Sequence, residues 1–597
     1  MKPVLEILEQ RISDTLAKVS GLPNCPAVVR MATDPKFGDY QVNGVMAAAK
    51  QLKTNPRQFA EKLVAELKLD DICQAPEIAG PGFINLRLTP EFLANALMNI
   101  HRDANLGIEK TQAPQTVVVD YSGPNIAKQM HVGHLRSTII GDCICRMLES
   151  LGHNVIRQNH IGDWGTQFGM LVQYLYQKTA AATNSSDPAA IEKALQNIHI
   201  ADLEDFYQQA KKLDDEDEAF RSAARQRVVE LHTGQNPLTL TLWRQIVNES
   251  RKHYLPIYQA LHITLKAEDE RGESFYADKL ESVVKQLQDG SMAVESDGAV
   301  CVFPEGFTNK EGAPLPFIIQ KSDGAFLYAT TDLAAMRFRL KDLHANRIIY
   351  VTDARQALHF KMLFAVATMA GWADDSVKLE HVTFGTMLGT DGKPFKTRTG
   401  GTVKLAELLD EAIQRARDVV EQKNPELPEE KKAQIAAAVG IGAVKYSDYS
   451  NNRDSDYIFS FDKMLAMDGN TAPYMQYAYA RIKSIERKAE GKDVNVQAEL
   501  SSIAQIALTD PAEIDLAKHL IRYGQSIQNA AIECRPNYLT NYLYELSGAF
   551  SRFYNACPVL QTEGPIRAAR LLLCDLTART IRHGMSQLLG IDVPEQM

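Results

Sequence analysis

The run TVVVDYSGPNIAKQMHVGHLRSTII, residues 116–140, constrains the fold more than any other stretch of this chain. Its first five residues form a β-branched string of the kind that fills a central parallel strand, buried on both faces. A Pro-Asn turn follows at 124–125. The helical period after it starts near Gly133 and reaches about Leu151, with Leu135, Ile139, Ile140 and Met147 on its inner face. Strand-like runs at NVIRQ (154–158), RIIYVTD (347–353) and HVTFG (381–385) alternate with helical text. This rhythm predicts a Rossmann-like, doubly wound parallel sheet, the α/β class, over residues 112–456. Such sheets bind ligands beyond the carboxyl ends of their strands, which puts HVGH (131–134) at a predicted binding edge.

The flanks read differently. Residues 1–111 open with an amphipathic helical pattern (Leu5, Leu8, Ile12, Leu16) and close with the strand-like FINLRL at 83–88, a small α+β domain. The polar, turn-rich DANLGIEKTQAPQ (103–115) marks its end. A helical insertion interrupts the sheet pattern at about 180–235, and its acidic run LDDEDE (213–218) reads as a solvated helix face. After EQKNPELPEEKK (421–432) the text turns helical throughout, which predicts an all-α domain over 457–597.

A formal charge of −9 excludes a broadly basic surface, so any nucleic acid must be met by a local, arranged face. The eight cysteines have no repeating spacing, the opening MKPVLEILEQ lacks a signal pattern, and no apolar run approaches the roughly 20 residues that span a bilayer. The expectation is a cytoplasmic protein with no membrane segment.

At the HVGH turn, a helix N-terminus offers unpaired N–H groups and a positive dipole to a phosphate. His131 and His134 can donate hydrogen bonds there, and Gly133 lets a flat base or ribose lie against the backbone. A zinc site using these histidines with Cys143 and Cys145 is disfavoured, because cysteines two apart on a helix do not share a face. A dinucleotide fingerprint is missing, since the turn carries only Gly123 and Gly133. Asp120, Ser122, Asn125 and Lys128 crowd the same turn, more polar groups than a tight connection needs.

HVGH resembles the His-x-Gly-His motif of class I aminoacyl-tRNA synthetases, and the fuller DYSGPNIAKQMHVGHLRSTIIGD resembles the arginyl-tRNA synthetase family. The resemblance extends through IGDWGTQFGML (161–171), YATTDLAA (328–335), YVTDARQALHF (350–360), MLGTDGKPFKTRTGGTV (387–403) and RLLLCDLTARTIRHGMSQLLGI (570–591). It implies a ligase that activates L-arginine with ATP, brought in with Mg2+, to arginyl-adenylate and transfers the arginine to tRNA(Arg). It also implies an N-terminal domain on the tRNA elbow and a C-terminal anticodon-binding domain; we expect a monomer with no resident metal or organic cofactor. A paralogue that keeps the fold and has lost activation is the rival; the intact turn, with Lys128 and Asp332 present, favours the enzyme.

By the same resemblance, His131, Gly133 and His134 meet the triphosphate and Lys128 adds a positive charge. Tyr328 and Asp332, four apart and on one face if helical, take the guanidinium of arginine. Asn125 and Gln356 hold its α-amino and carboxylate groups or the ribose, with Asp120 and Ser122 lining the pocket. Asp332 read alone is equally a helix cap. Most class I synthetases carry a Lys-Met-Ser-Lys-Ser loop, where this chain has Pro394, Phe395, Lys396, Thr397 and Arg398. Lys393, Lys396 and Arg398 still supply charge for phosphates, and the group with this degeneration needs bound tRNA before it activates the amino acid. In APYMQYAYARIKS (472–484), Tyr474 and Arg481 fall on one helical stripe and are expected against anticodon bases, with the terminal Met597 beside them.

Overall fold

The β-branched run forms strand β1, Thr116–Asp120, whose Val117, Val118 and Val119 are fully buried. It lies in the interior of a four-stranded parallel sheet with β2 (Asn154–Gln158), β3 (Arg347–Asp353) and β4 (Lys378–Phe384), in the order β4-β3-β1-β2. Asp120, at the carboxyl end of β1, stands opposite Tyr350 on one side and Gln158 on the other. Helix α1, Val132–Ser150, follows β1 and buries Leu135, Ile139, Ile140 and Met147 as the periodicity predicts. It lies close to the end of β1 because residue 141 is glycine: a Cβ there would stand 2.3 Å from the Tyr121 side chain. Helix α2 (Tyr328–Lys341) precedes β3, and α3 (Ala357–Met369) follows it.

The computed structural model describes residues 1–195, 199–200, 202–395, 403–492 and 494–597. The sheet belongs to a unit comprising Gln112–Leu465 and Leu589–Ile591. Between β2 and α2 this unit carries, among the described residues, six α-helices, Thr166–Thr183, Pro188–Leu195, Leu203–Glu216, Glu218–Thr233, Pro237–Ala260 and Leu280–Asp289. The acidic run 213–218 is the junction between two of them, where Asp217 caps the second by accepting from the Ala219 and Phe220 N–H groups. Residues 457–465, grouped by sequence with the last domain, lie in this unit because Tyr457–Ile458 pairs with Met387–Leu388.

The other unit joins the two ends of the chain: Met1–Thr111, Ala466–Leu588 and Asp592–Met597. Its sheet is antiparallel, with Tyr40–Val42 and Phe83–Leu86 between Val29–Met31 and Glu77–Ala79. Its second half is helical, from Ala472–Glu490 through Gly564–Arg582. Lys518 pairs with Asp39 at 2.6 Å, and Arg579 donates to the His101 carbonyl, so the N-terminal α+β part and the C-terminal helices pack together.

Candidate active site

The chain leaves β1 through two residues with positive φ, Ser122 (+70°) and Gly123 (+49°). Long-range partners hold this turn. The Ser122 hydroxyl lies 2.6 Å from the Tyr258 hydroxyl and 2.8 Å from that of Thr138, and Asn159 accepts from the Gly123 N–H. Asp120 accepts from Arg339 at 2.6 Å, and Arg339 also reaches Gln158. The Arg339 guanidinium is wholly buried, so it needs this carboxylate as its counter-charge. Asp120 and Ser122, expected to line the arginine pocket, thus have internal partners, from residues 219 and 136 positions away.

His131 caps α1 with its own ring. The Gly133 N–H donates to His131 Nδ1 (3.0 Å), and the His131 N–H donates to His134 Nδ1 (3.2 Å). A Cβ on residue 133 would lie 2.7 Å from the His131 ring, so glycine is what allows that ring to fold over the first turn. Each Nδ1 accepts from the backbone, which assigns the ring proton to Nε2 in both histidines. Burial lowers both, His134 to about 4 with the neighbouring His131 adding to it, and His131 with help from the Lys128 charge. The turn therefore presents two neutral imidazoles, each with one N–H left to donate.

Tyr328 and Asp332 sit one turn apart on α2, and Leu327 holds the cap position, so Asp332 is not the helix cap. Tyr328 is 67% exposed. Asp332 accepts from His359 Nε2 on α3 at 2.7 Å, and His160 Nε2 is 3.9 Å from its other oxygen. The Tyr328 and His359 rings are 5.1 Å apart. A further acid joins them because residues 271–273 run alongside 159–161: the Arg271 N–H donates to the Asn159 carbonyl and the Glu273 N–H to that of Ile161. Burial, then the charges of Asp163 and Asp332, push the Glu273 carboxyl up to about 7. Asp163 is itself buried and held by Ser274. Asn125 is exposed and donates to Gln167 (3.0 Å), and Gln356 is exposed at the carboxyl end of β3, beside α3.

The basic loop starts from a fixed base. Arg136 of α1, buried, pairs with Asp448 and donates to the carbonyls of Gly385 and Ser455. Lys393 lies in an exposed tight turn, its carbonyl accepting from the Gly389 N–H. Lys396 and Arg398 lie outside the described residues. Where description resumes, the Val132 N–H donates to the Val403 carbonyl and the Leu405 N–H to that of Met130, which fastens 403–405 to the HVGH turn. The Lys128 ammonium stands 4.2 Å above the centre of the Tyr207 ring. Among the described residues no group of three or more His, Cys, Asp or Glu is placed to hold a metal ion, and no helix is long and apolar enough to cross a membrane.

Residues 95–461 match the family described as tRNA synthetases class I (R), catalytic domain; residues 6–88 match the arginyl tRNA synthetase N terminal domain, and 475–597 the DALR anticodon binding domain. Arginine–tRNA ligase of Chromobacterium violaceum is 50% identical over 99% of both chains, and that of Cellvibrio japonicus 50% identical over the full length of both. The chain belongs to the arginyl-tRNA synthetase family. The crystal structure of the Plasmodium falciparum arginyl-tRNA synthetase, 30% identical, superposes over all of both chains with a TM-score of 0.81; that from Thermus thermophilus, 25% identical, does so with 0.78.

Within this synthetase family chain, the C-terminal residues singled out by sequence form an open face and not a core stripe. On helix Ala472–Glu490, Tyr474 is half-buried beside Tyr544, while the Arg481 guanidinium lies over the rings of Tyr477 and Tyr554. Tyr477 and Tyr544 are exposed. The tail that ends at Met597 runs along this helix, which holds it through Gln476 to the Asp592 carbonyl and Arg487 to that of Glu595. Sequence reasoning missed His160, His359 and Glu273. His359 lies inside the quoted run YVTDARQALHF and His160 just before IGDWG, where each could have been noticed; Glu273 carries no local signal.

Proposed function

We infer that this arginine–tRNA ligase activates arginine at the carboxyl ends of β1 and β3, with the HVGH turn meeting ATP and the acidic group around Asp332 meeting arginine. The observation that carries the reading is the reciprocal histidine cap at the turn that follows β1. Two Nε2–H donors fixed at a helix N-terminus suit the oxygens of a triphosphate, and they need no reorganisation as charge gathers there. Arginine brings five N–H donors in a plane, which Asp332 and the raised Glu273 can accept, with the Tyr328 hydroxyl at the rim. His359 holds Asp332 by a hydrogen bond, and His160 stands 3.9 Å from its other oxygen. Asn125 and Gln356, both exposed at strand ends, take the α-amino and carboxylate groups or the ribose; Asp120 and Ser122 form the floor.

Mg2+ enters with ATP as part of the substrate. The carboxylate of arginine attacks the α-phosphorus in line, and diphosphate leaves, so positioning and neutralisation of charge are the protein's share. Gly133, Lys128, Lys393, Lys396 and Arg398 complete the phosphate site in this reading. The face of Tyr474 and Arg481, with Met597, takes anticodon bases of tRNA(Arg) by stacking. We propose three functional parts, 1–111, 112–456 extended to Leu465 by the pairing of Tyr457–Ile458, and the helices from Ala466 to Met597, acting in a cytoplasmic monomer.

The test is pyrophosphate exchange with each of the twenty amino acids, with and without total tRNA. The expected result is exchange with arginine alone, and only when tRNA is present. Exchange driven by lysine, or by arginine at full rate without tRNA, overturns the assignment of the pocket or of the loop.

A further inference from the structure

The helical insertion reaches the catalytic turn through its helix Leu203–Glu216. Leu203, Phe206 and Ala210 bury one side of that helix, and Phe206 packs its ring 5.0 Å from Tyr174 on helix Thr166–Thr183. With that side fixed, the flank next to it meets the HVGH turn at successive positions. The cap Asp202 stands 3.9 Å from Lys404, whose backbone bridges to His131. Glu204 is close enough for its charge to act on His131. Tyr207, one turn on, lies under the Lys128 ammonium at 4.2 Å.

We propose that Tyr207 is a positioning residue for adenylate formation, its ring holding the Lys128 ammonium beside the His131–His134 turn. The proposal rests on the reading of Lys128 as a phosphate-facing cation. Lys128 is exposed on a four-carbon stem, and left alone it samples many rotamers, so only a fraction of molecules have the charge in place when the phosphates need it. A carboxylate could restrain it, but would cancel the charge on which its use depends. A ring face restrains an ammonium through its quadrupole and leaves the full positive charge for the phosphates. A tyrosine on a helix anchored by a buried side provides this restraint, and it gives the insertion a role in the reaction.

The experiment uses the full chain in two readouts. Arginine-dependent pyrophosphate exchange with tRNA is measured for Tyr207→Leu, Tyr207→Phe, Lys128→Ala and the double variant Lys128→Ala with Tyr207→Leu. Reductive methylation of Lys128, followed by mass spectrometry, reports directly on the amine. Tyr207→Leu is expected to lower kcat about fivefold, the scale of a partly exposed cation–π contact, with little change in KM for arginine. Lys128 is methylated faster in that variant. Tyr207→Phe, which keeps the ring, restores both, and on the Lys128→Ala background Tyr207→Leu has no further effect. The proposal is overturned if Tyr207→Leu changes neither readout or only one of them. An equal further loss on the Lys128→Ala background also overturns it, leaving the Lys128 reading intact. Wild-type turnover in Lys128→Ala removes the Lys128 reading and this proposal with it, whatever the methylation rate.

Discussion

Replacing Asp332 by asparagine removes one negative charge and almost nothing else. The amide keeps an oxygen that can accept from His359, 2.7 Å away, so the contact between α2 and α3 is retained. The side chain is 21% exposed, which shields any ion pair it makes from most of the solvent. A hydrogen bond to a charged partner is worth about 1.5 to 3 kcal/mol, and with about 1.4 kcal/mol per factor of ten this spans roughly 12- to 150-fold in affinity. Glu273 remains beside the vacated charge and two histidines stay in place, so the expectation is at the low end, about a tenfold rise in KM for arginine. Aminoacylation with arginine and ATP varied separately, alongside a thermal melt, gives the answer. KM for ATP and Tm should be unchanged. Equal rises in both KM values, or a fall in Tm with KM for arginine unmoved, would show that Asp332 is a structural partner of His359 and not a receptor for the guanidinium.

Glu273 is held up to about 7 against an ordinary 4.5, so between those values the folded state binds a proton that the unfolded chain has released. Stability should therefore fall as pH rises through that window, by on the order of 3 kcal/mol from this group, and urea melts of Glu273→Gln should lose that slope. Two-dimensional NMR of the His134 ring should give a midpoint near 4 and an Nε2–H tautomer at neutral pH; a midpoint above 6 would remove the neutral-donor account of the turn. Tyr474→Ala and Arg481→Ala should each weaken tRNA use by about 1 to 3 kcal/mol, read as KM for tRNA, with Tm intact. Loss of Tm without a change in that KM would return both residues to the core.

What the sequence made legible was whatever depends on neighbours a few residues apart. The run from Thr116 to Ile140 predicts strand, turn and helix because period 2 and period 3.6 are local properties, and α1 ends within a residue of its expected position. Tyr328 and Asp332 were paired correctly on one helical face for the same reason. The partners of Asp120 and Ser122 were not legible: Arg339 and Tyr258 come from far along the chain, and no spacing rule links them to β1. Glu273 comes within reach of the Asp332 charge only because residues 271–273 pair with 159–161, a register decided by the fold. The joining of residues 1–111 with the last helices into one unit is likewise a product of long-range contacts such as Lys518 with Asp39.

The ring cap at His131 sets local durability against use. Serine, aspartate or asparagine caps a helix well, so a substitution such as His131→Asp could leave α1 as firm as before or firmer. Neither serine nor aspartate offers an outward N–H, and aspartate would set a negative charge on the side proposed for the phosphates. A library of this chain selected only for survival of heating would accept such changes at position 131 and deliver stable, silent protein. The first turn of α1 is thus a place where a stability screen and an activity screen should disagree, and where their disagreement marks function without any knowledge of the substrate.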